Sequence, residues 1–343
     1  MASNNTPIRI LSARTLTDAQ LALLNAATPR ARIVQVAGKT DAEIEQAFTP
    51  DTEVLFCGHG SFAIGAATGL KWVQAENAGV DHFHGTELWR SPITLTSANG
   101  AHTPHMPEWV LSVMLSHAYK LSLSHTYQQK QVWGGGEHRA LFTPRELRGQ
   151  TVGIVGYGAI GREIARLTKA LGLRVLATKR TETSSTKYDG YAAPGTGDPD
   201  GTLPDAYFTM GQLPELLKQS DIVILLVPMT DDTRHLIGAN ELAQMKRDAL
   251  LINIGRGGLI DQQALIDAMN NKVICGAVLD VTEPEPLPSD HPLWRTPNVF
   301  ITPHVAGLSA HYIDNVVRVF AENLRRYANG EPLVNVVRRE LGY

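Results

Sequence analysis

Between Gly156 and Gly161 the chain reads Gly-Tyr-Gly-Ala-Ile-Gly, directly after the apolar run Thr151–Val155 and directly before Arg162-Glu163-Ile164-Ala165-Arg166-Leu167, which has helical character. A lone G-x-G-x-x-G says little, but one that leaves a buried strand and opens a helix is the arrangement that dinucleotide binding requires. Gly156 permits the tight turn, Gly158 lets backbone approach a pyrophosphate, and Gly161 lets helix and strand pack closely. Free N–H groups at the helix start, including those of Ala159 and Ile160, carry a partial positive charge suited to phosphate. The bland alternative is a tight strand-to-helix turn with no ligand.

At 343 residues the chain exceeds the size at which one core stops growing, so two domains are expected. A net charge of −3 and the absence of any Lys/Arg-rich run give no basic field for nucleic acid. No apolar run approaches membrane-spanning length, and the N-terminal Met-Ala-Ser-Asn-Asn-Thr-Pro lacks the basic-then-apolar pattern of a secretory signal. A cytoplasmic protein without a membrane partner is expected. The two cysteines, Cys57 and Cys275, lie in buried-strand patterns and read as reduced core thiols, not as a disulfide or metal pair. No metal site is expected.

Short β-type runs alternate with helical patterns over the first hundred residues, at 8–11, 32–36, 53–56, 71–75 and 93–96. That alternation implies a small parallel α/β domain. A helical stretch from His105 to about Gln128 leads away from it and ends in the loop Val132-Trp133-Gly134-Gly135-Gly136-Glu137. A second series places strands at 151–155, 174–177, 222–227, 249–254, 273–279 and 299–302, followed by a last helix over 309–328. Residues 181–208 are rich in Gly, Pro, Asp, Ser and Thr, and a structureless loop of that length is either functional or mobile.

Three later blocks carry more information: Ile252-Asn253-Ile254-Gly255-Arg256-Gly257-Gly258-Leu259-Ile260-Asp261, then Gly276 to Leu287 with Asp280-Val281-Thr282-Glu283-Pro284-Glu285-Pro286, then Ile301-Thr302-Pro303-His304-Val305-Ala306-Gly307. With Ala78-Gly79-Val80-Asp81, Pro107-Glu108-Trp109 and Val227-Pro228-Met229-Thr230, and in this order, they resemble the D-isomer-specific 2-hydroxyacid dehydrogenase family, in particular its glyoxylate/hydroxypyruvate reductase-like members. The resemblance implies two doubly wound parallel-sheet α/β domains, with a Rossmann coenzyme domain, residues 105–307, inserted into a flavodoxin-like substrate domain, residues 1–104 with 308–343. It places the active site in a cleft. It further implies a hydride transfer between NAD(P)H and a small 2-oxo acid to give a D-2-hydroxy acid, in a homodimer built on the helix from Trp109 to Leu121 and the loop around Trp133.

Reducing a 2-oxo acid needs a hydride at the carbonyl carbon, a proton for its oxygen, and a cation that holds substrate and stabilises developing negative charge. By resemblance, His304 is the general acid, Glu285 its carboxylate partner and Arg256 the substrate-binding cation. An imidazole titrates close to operating pH, a neighbouring carboxylate favours its protonated form, and a guanidinium matches a carboxylate with its planar fork. Glu283 rivals Glu285, but the family's acid immediately precedes the Pro-Leu pair, here Pro286-Leu287. Backbone N–H groups of Ala78 and Gly79 match the family's substrate-carboxylate loop. Asp280 resembles the residue that orients the nicotinamide carboxamide, or is a buried structural carboxylate at a strand end; Val227, Pro228, Thr230 and Ile254 complete the expected coenzyme contacts. His59 and Trp133 receive no role.

One position departs from the NAD-type pattern. Where an acid would bond the ribose 2′-hydroxyl, the second coenzyme-domain strand runs into Thr178-Lys179-Arg180-Thr181. Two cations and two hydroxyls suit a 2′-phosphate, so NADP is expected in preference to NAD. The alternative is a pair of solvated loop cations. Glu285 argues against a formate dehydrogenase, which pairs the histidine with glutamine. A phosphite dehydrogenase would keep the same Arg, Glu and His, and a dinucleotide-sensing corepressor would keep the fold while acting through partners.

Overall fold

The computed structural model describes residues 6–36, 40–65, 67–183 and 185–342. The chain divides into two compact units, one formed by residues 1–102, 189–193 and 309–343, the other by 103–188 and 194–308.

The first unit holds a five-stranded parallel sheet of β1 (Ile8–Ser12), β2 (Ala31–Gln35), β3 (Thr52–Cys57), β4 (Trp72–Ala75) and β5 (Thr94–Thr96), in the order β2-β1-β3-β4-β5. That is the flavodoxin-type order. Its central strand β3 runs apolar from Val54 to Cys57, as expected where helices cover both faces, and all four residues are fully buried. The helix Tyr312–Asn329 returns here and packs Val316, Val317, Phe320 and Leu324 into the core with Ile8, Ile10 and Trp72. The Phe56 and Phe320 rings stack with centroids 4.9 Å apart. Buried Asn323 adds polar register, donating to Gln74 Oε1 and to the Val334 carbonyl.

The second unit holds seven parallel strands: β6 (Thr151–Val155), β7 (Arg174–Lys179), β8 (Ala206–Thr209), β9 (Ile222–Leu225), β10 (Leu250–Asn253), β11 (Gly276–Leu279) and β12 (Val299–Ile301). Their order, β12-β11-β10-β9-β6-β7-β8, reverses direction between β6 and β9, which is the switch point where α/β sheets of this kind bind ligands.

Four features differ from the sequence reading. Strand β8 takes up the last residues of the expected loop and runs one residue past it; Ala-Tyr-Phe-Thr at a half-exposed sheet edge carries no buried-strand signal. The helical stretch from His105 breaks at Lys120, which adopts φ +55°, giving Met106–Ala118 and Leu121–Gln129. Residues 189–193 belong to the first unit: Tyr191 packs with its core and donates its N–H to Asn335 Oδ1 at 3.1 Å. Cys57 is buried as expected, but Cys275 is only half buried, its thiol donating to the Asp248 and Ala249 carbonyls, and both cysteines are free.

Candidate active site

At the carboxyl end of β6 the chain turns sharply. Gly156 adopts φ +110°, and a Cβ there would lie 2.9 Å from both Leu226 C and Val227 N, so the conformation and the space both demand glycine. A Cβ on Gly161 would collide with the Gly156 carbonyl, whereas one on Gly158 would meet nothing. The helix Ala159–Ala170 starts at Gly158 with no side-chain cap, leaving first-turn N–H groups facing that open space. An open cradle beneath uncapped amides at a sheet switch point fits a dinucleotide pyrophosphate. Thr178, 3% exposed, accepts the Gly156 N–H on its hydroxyl at 2.9 Å, so it holds the turn from below. The segment after β9 is tied by Thr233, whose hydroxyl donates to the Pro228 carbonyl at 2.7 Å and accepts the Thr230 N–H at 2.8 Å.

The catalytic candidates stand beyond β10, β11 and β12. Buried Asn253 closes the turn carrying Arg256: its Nδ2 donates to the Arg256 carbonyl at 2.8 Å and its Oδ1 accepts the Gly255 N–H at 3.0 Å. A Cβ on Gly257 would collide with the Thr282 carbonyl, and one on Gly258 would lie 2.8 Å from Glu283 Oε2. These two glycines therefore let the Arg256 turn pack against the segment carrying Glu285.

His304 Nδ1 lies 2.5 Å from Glu285 Oε1, with about half of each side chain exposed. Its backbone is in the left-handed region at φ +54°, a strained state that surrounding contacts must enforce. The enforcing group is Asp280. Its carbonyl accepts the His304 N–H at 2.9 Å, and its buried carboxylate accepts the Thr302 hydroxyl at 2.5 Å and the N–H groups of Val305 and Ala306 at 2.9 Å each. Glu283 is engaged elsewhere, by Arg234 at 3.0–3.1 Å, which leaves Glu285 as the imidazole's partner.

Residues 111–306 match the family model for the D-isomer specific 2-hydroxyacid dehydrogenase NAD-binding domain. The glyoxylate reductase of Korarchaeum cryptofilum is 33% identical over 276 residues, covering 80% of this chain and 78% of that protein. The chain belongs to the D-isomer-specific 2-hydroxyacid dehydrogenase family. It is a nicotinamide-dependent oxidoreductase with two parallel-sheet α/β domains. Two solved members cover 98% of this chain and all of their own: the enzyme of Xanthobacter autotrophicus in complex with NADPH and MES, 26% identical with a TM-score of 0.76, and the NADPH-dependent glyoxylate/hydroxypyruvate reductase of Sinorhizobium meliloti in complex with NADP and sulfate, 25% identical with a TM-score of 0.74.

The dehydrogenase also carries features that sequence reading missed. Lys179 Nζ donates to the Glu182 carbonyl at 2.6 Å and lies 3.8 Å from its carboxylate; Thr181 and Thr183 share a hydroxyl contact at 3.3 Å. The long excursion before β8 is pinned to the glycine-loop helix by Arg162, 5% exposed, which donates to the carbonyls of Asp198 and Thr186 and stacks over the Tyr157 ring at 4.7 Å. Asp198 in turn accepts the Tyr157 hydroxyl at 2.7 Å and the Leu203 and Thr202 N–H groups. Burial opposes ionisation there, but these bonds and Arg162 hold the carboxyl below the usual carboxylate range.

Proposed function

We propose that this dehydrogenase reduces small 2-oxo acids to D-2-hydroxy acids and prefers NADPH to NADH. The observation that carries the reading is the 2.5 Å His304–Glu285 contact, held on a strained turn by Asp280 beside the Arg256 loop. With Nδ1 committed to Glu285, Nε2 is the nitrogen left to give a proton to the substrate's carbonyl oxygen. Glu285 stabilises the imidazolium before that transfer. Arg256 pairs with the substrate carboxylate and the developing oxyanion; in the other unit, the Ala78 and Gly79 N–H groups, which have no hydrogen-bond partner among the described residues, suit a substrate carboxylate. The unit holding 103–188 and 194–308 takes the coenzyme, with Gly156, Gly158, Ala159, Ile160 and Gly161 at the pyrophosphate and Asp280 at the carboxamide; the other unit takes the substrate. When bound, the reduced nicotinamide supplies the hydride.

Lys179 and Arg180 support the NADPH preference, since no acid stands where NAD-type members carry one. The relatives' names favour a reductase over the corepressor and phosphite dehydrogenase alternatives. Leu115, Tyr119, Leu121, Val132, Trp133 and Leu141 are all exposed, Trp133 at 94%. An apolar patch of this kind supports an isologous homodimer, for which a dimeric mass by light scattering is the test. Two free cysteines suit a reducing cytoplasm. Initial rates with glyoxylate, hydroxypyruvate, pyruvate and bulkier 2-oxo acids, each with NADPH and NADH, test the reading. Turnover confined to bulky acids, or absent throughout, defeats it.

A further inference from the structure

Arg14 and Glu76 stand just past β1 and β4, which are separated in the sheet by β3. Glu76 immediately precedes Asn77-Ala78-Gly79 and is 5% exposed. A buried carboxylate two residues from N–H donors that must accept an anion is electrostatically wrong unless something cancels it. Arg14 does so: its Nε and Nη2 both lie 2.8 Å from Glu76 Oε2. The two side chains meet across the end of β3, where Gly58 follows; a Cβ there would lie 3.4 Å from Glu76 Oε2, in contact with the pair.

The backbone at this point is held as tightly. The Glu76 N–H donates to the Cys57 carbonyl at 2.9 Å, the Tyr312 hydroxyl donates to the Glu76 carbonyl at 2.7 Å, and the Ala98 N–H donates to the Asn77 carbonyl at 2.9 Å. The backbone leading up to Ala78 is therefore held, while the Ala78 and Gly79 N–H groups have no hydrogen-bond partner among the described residues.

We propose that Arg14 and Glu76 are positioning residues for the substrate carboxylate: together they lock the Ala78–Gly79 donors in place and cancel the buried charge beside them. The inference rests on the proposed role of that loop, and it adds two residues that contact neither coenzyme nor reacting atoms.

The test is steady-state kinetics of Arg14→Ala, Arg14→Lys and the neutral pair Arg14→Met/Glu76→Gln, with glyoxylate as the varied substrate and NADPH saturating. Arg14→Ala should raise KM by about tenfold to a hundredfold, because it leaves the buried carboxylate uncompensated next to an incoming anion. Its kcat and its NADPH affinity should stay close to wild type. Arg14→Lys keeps the charge but loses the two-pronged contact, so its KM should fall between; the neutral pair should recover part of the loss. An unchanged KM in Arg14→Ala, an equal fall in kcat, or a neutral pair no better than Arg14→Ala overturns the inference. A wild-type enzyme that turns over no 2-oxo acid defeats the functional reading instead, so the two failures are told apart by the wild-type control.

Discussion

Replacing Glu285 with Gln keeps the side chain's volume and an oxygen to accept the His304 Nδ1–H, but removes one negative charge 2.5 Å from the ring. In reduction the imidazole gives up a proton, and the Glu285 carboxylate stabilises the charged ring that donates it. Two unit charges about 4 Å apart interact by about 1 kcal/mol in bulk water and about 4 kcal/mol near a protein surface. With about half of each side chain in solvent, screening puts the pair near the lower end, at about 1–2 kcal/mol. At about 1.4 kcal/mol per factor of ten, Glu285→Gln should lose about fivefold to thirtyfold in rate. The assay is kcat/KM for glyoxylate with saturating NADPH at neutral pH, with Glu283→Gln alongside. Glu283 is committed to Arg234, so its variant should keep the wild-type rate. A Glu285→Gln rate equal to wild type, or a loss of equal size in Glu283→Gln, would refute the pairing.

Three other outcomes follow from the same structure. Wild-type enzyme should favour NADPH by about tenfold to a hundredfold in kcat/KM, and Lys179→Asp with Arg180→Ala should move the preference toward NADH; Glu182→Gln, which relieves a carboxylate 3.8 Å from Lys179 Nζ, should raise the NADPH preference about twofold to fivefold, and an enzyme preferring NADH would contradict a phosphate-binding role for both cations. Light scattering should give a dimeric mass, which Trp133→Asp with Leu121→Asp should reduce toward the monomer; a monomeric wild type contradicts the apolar patch as an interface. Burial, reinforced by Lys120 and Arg145, pushes the His117 imidazole down to about 4, so the unfolded chain binds its proton first as pH falls below about 6.5, and stability present above that pH is lost between there and 4, by at most about 3 kcal/mol and less because part of the ring stays solvated; denaturant unfolding of His117→Gln should show a flatter pH dependence over that window, and an unchanged slope would rule the residue out.

What the sequence made legible were groups whose partners are close in the chain or fixed by backbone conformation. The glycine loop is one: Gly156 and Gly161 answer steric demands that a larger residue would not meet, while Gly158 leaves the space before the helix open, and such a pattern can be read before the fold is known. His304, Glu285 and Arg256 sat in ordered blocks at strand ends, where a parallel sheet gathers side chains from distant segments along one edge. Contacts between side chains far apart in sequence were not legible. Nothing in Arg14 or Glu76 announces a pair separated by 62 residues, and nothing in Arg162 announces its hold on Asp198 and Thr186. The bonds of Asp280 to Thr302, Val305 and Ala306, which hold the His304 turn, were likewise not legible. Lys179 illustrates a subtler gap: its position was clear, but its bond to the Glu182 carbonyl depends on a local turn that composition does not specify. Strand β8 escaped because an edge strand need not be apolar on both faces.

The most direct measurement is the rate of NADPH consumption with hydroxypyruvate by wild-type enzyme and by His304→Gln, with the configuration of the product determined. A general acid contributes about 10²–10⁴-fold in rate. Wild type should consume NADPH in step with formation of the D-2-hydroxy acid, and His304→Gln should lose turnover by that factor while binding NADPH as tightly as before. Product of the L configuration, or wild-type turnover in His304→Gln, would contradict the assignment of His304 as the proton donor in a D-specific 2-oxo acid reductase.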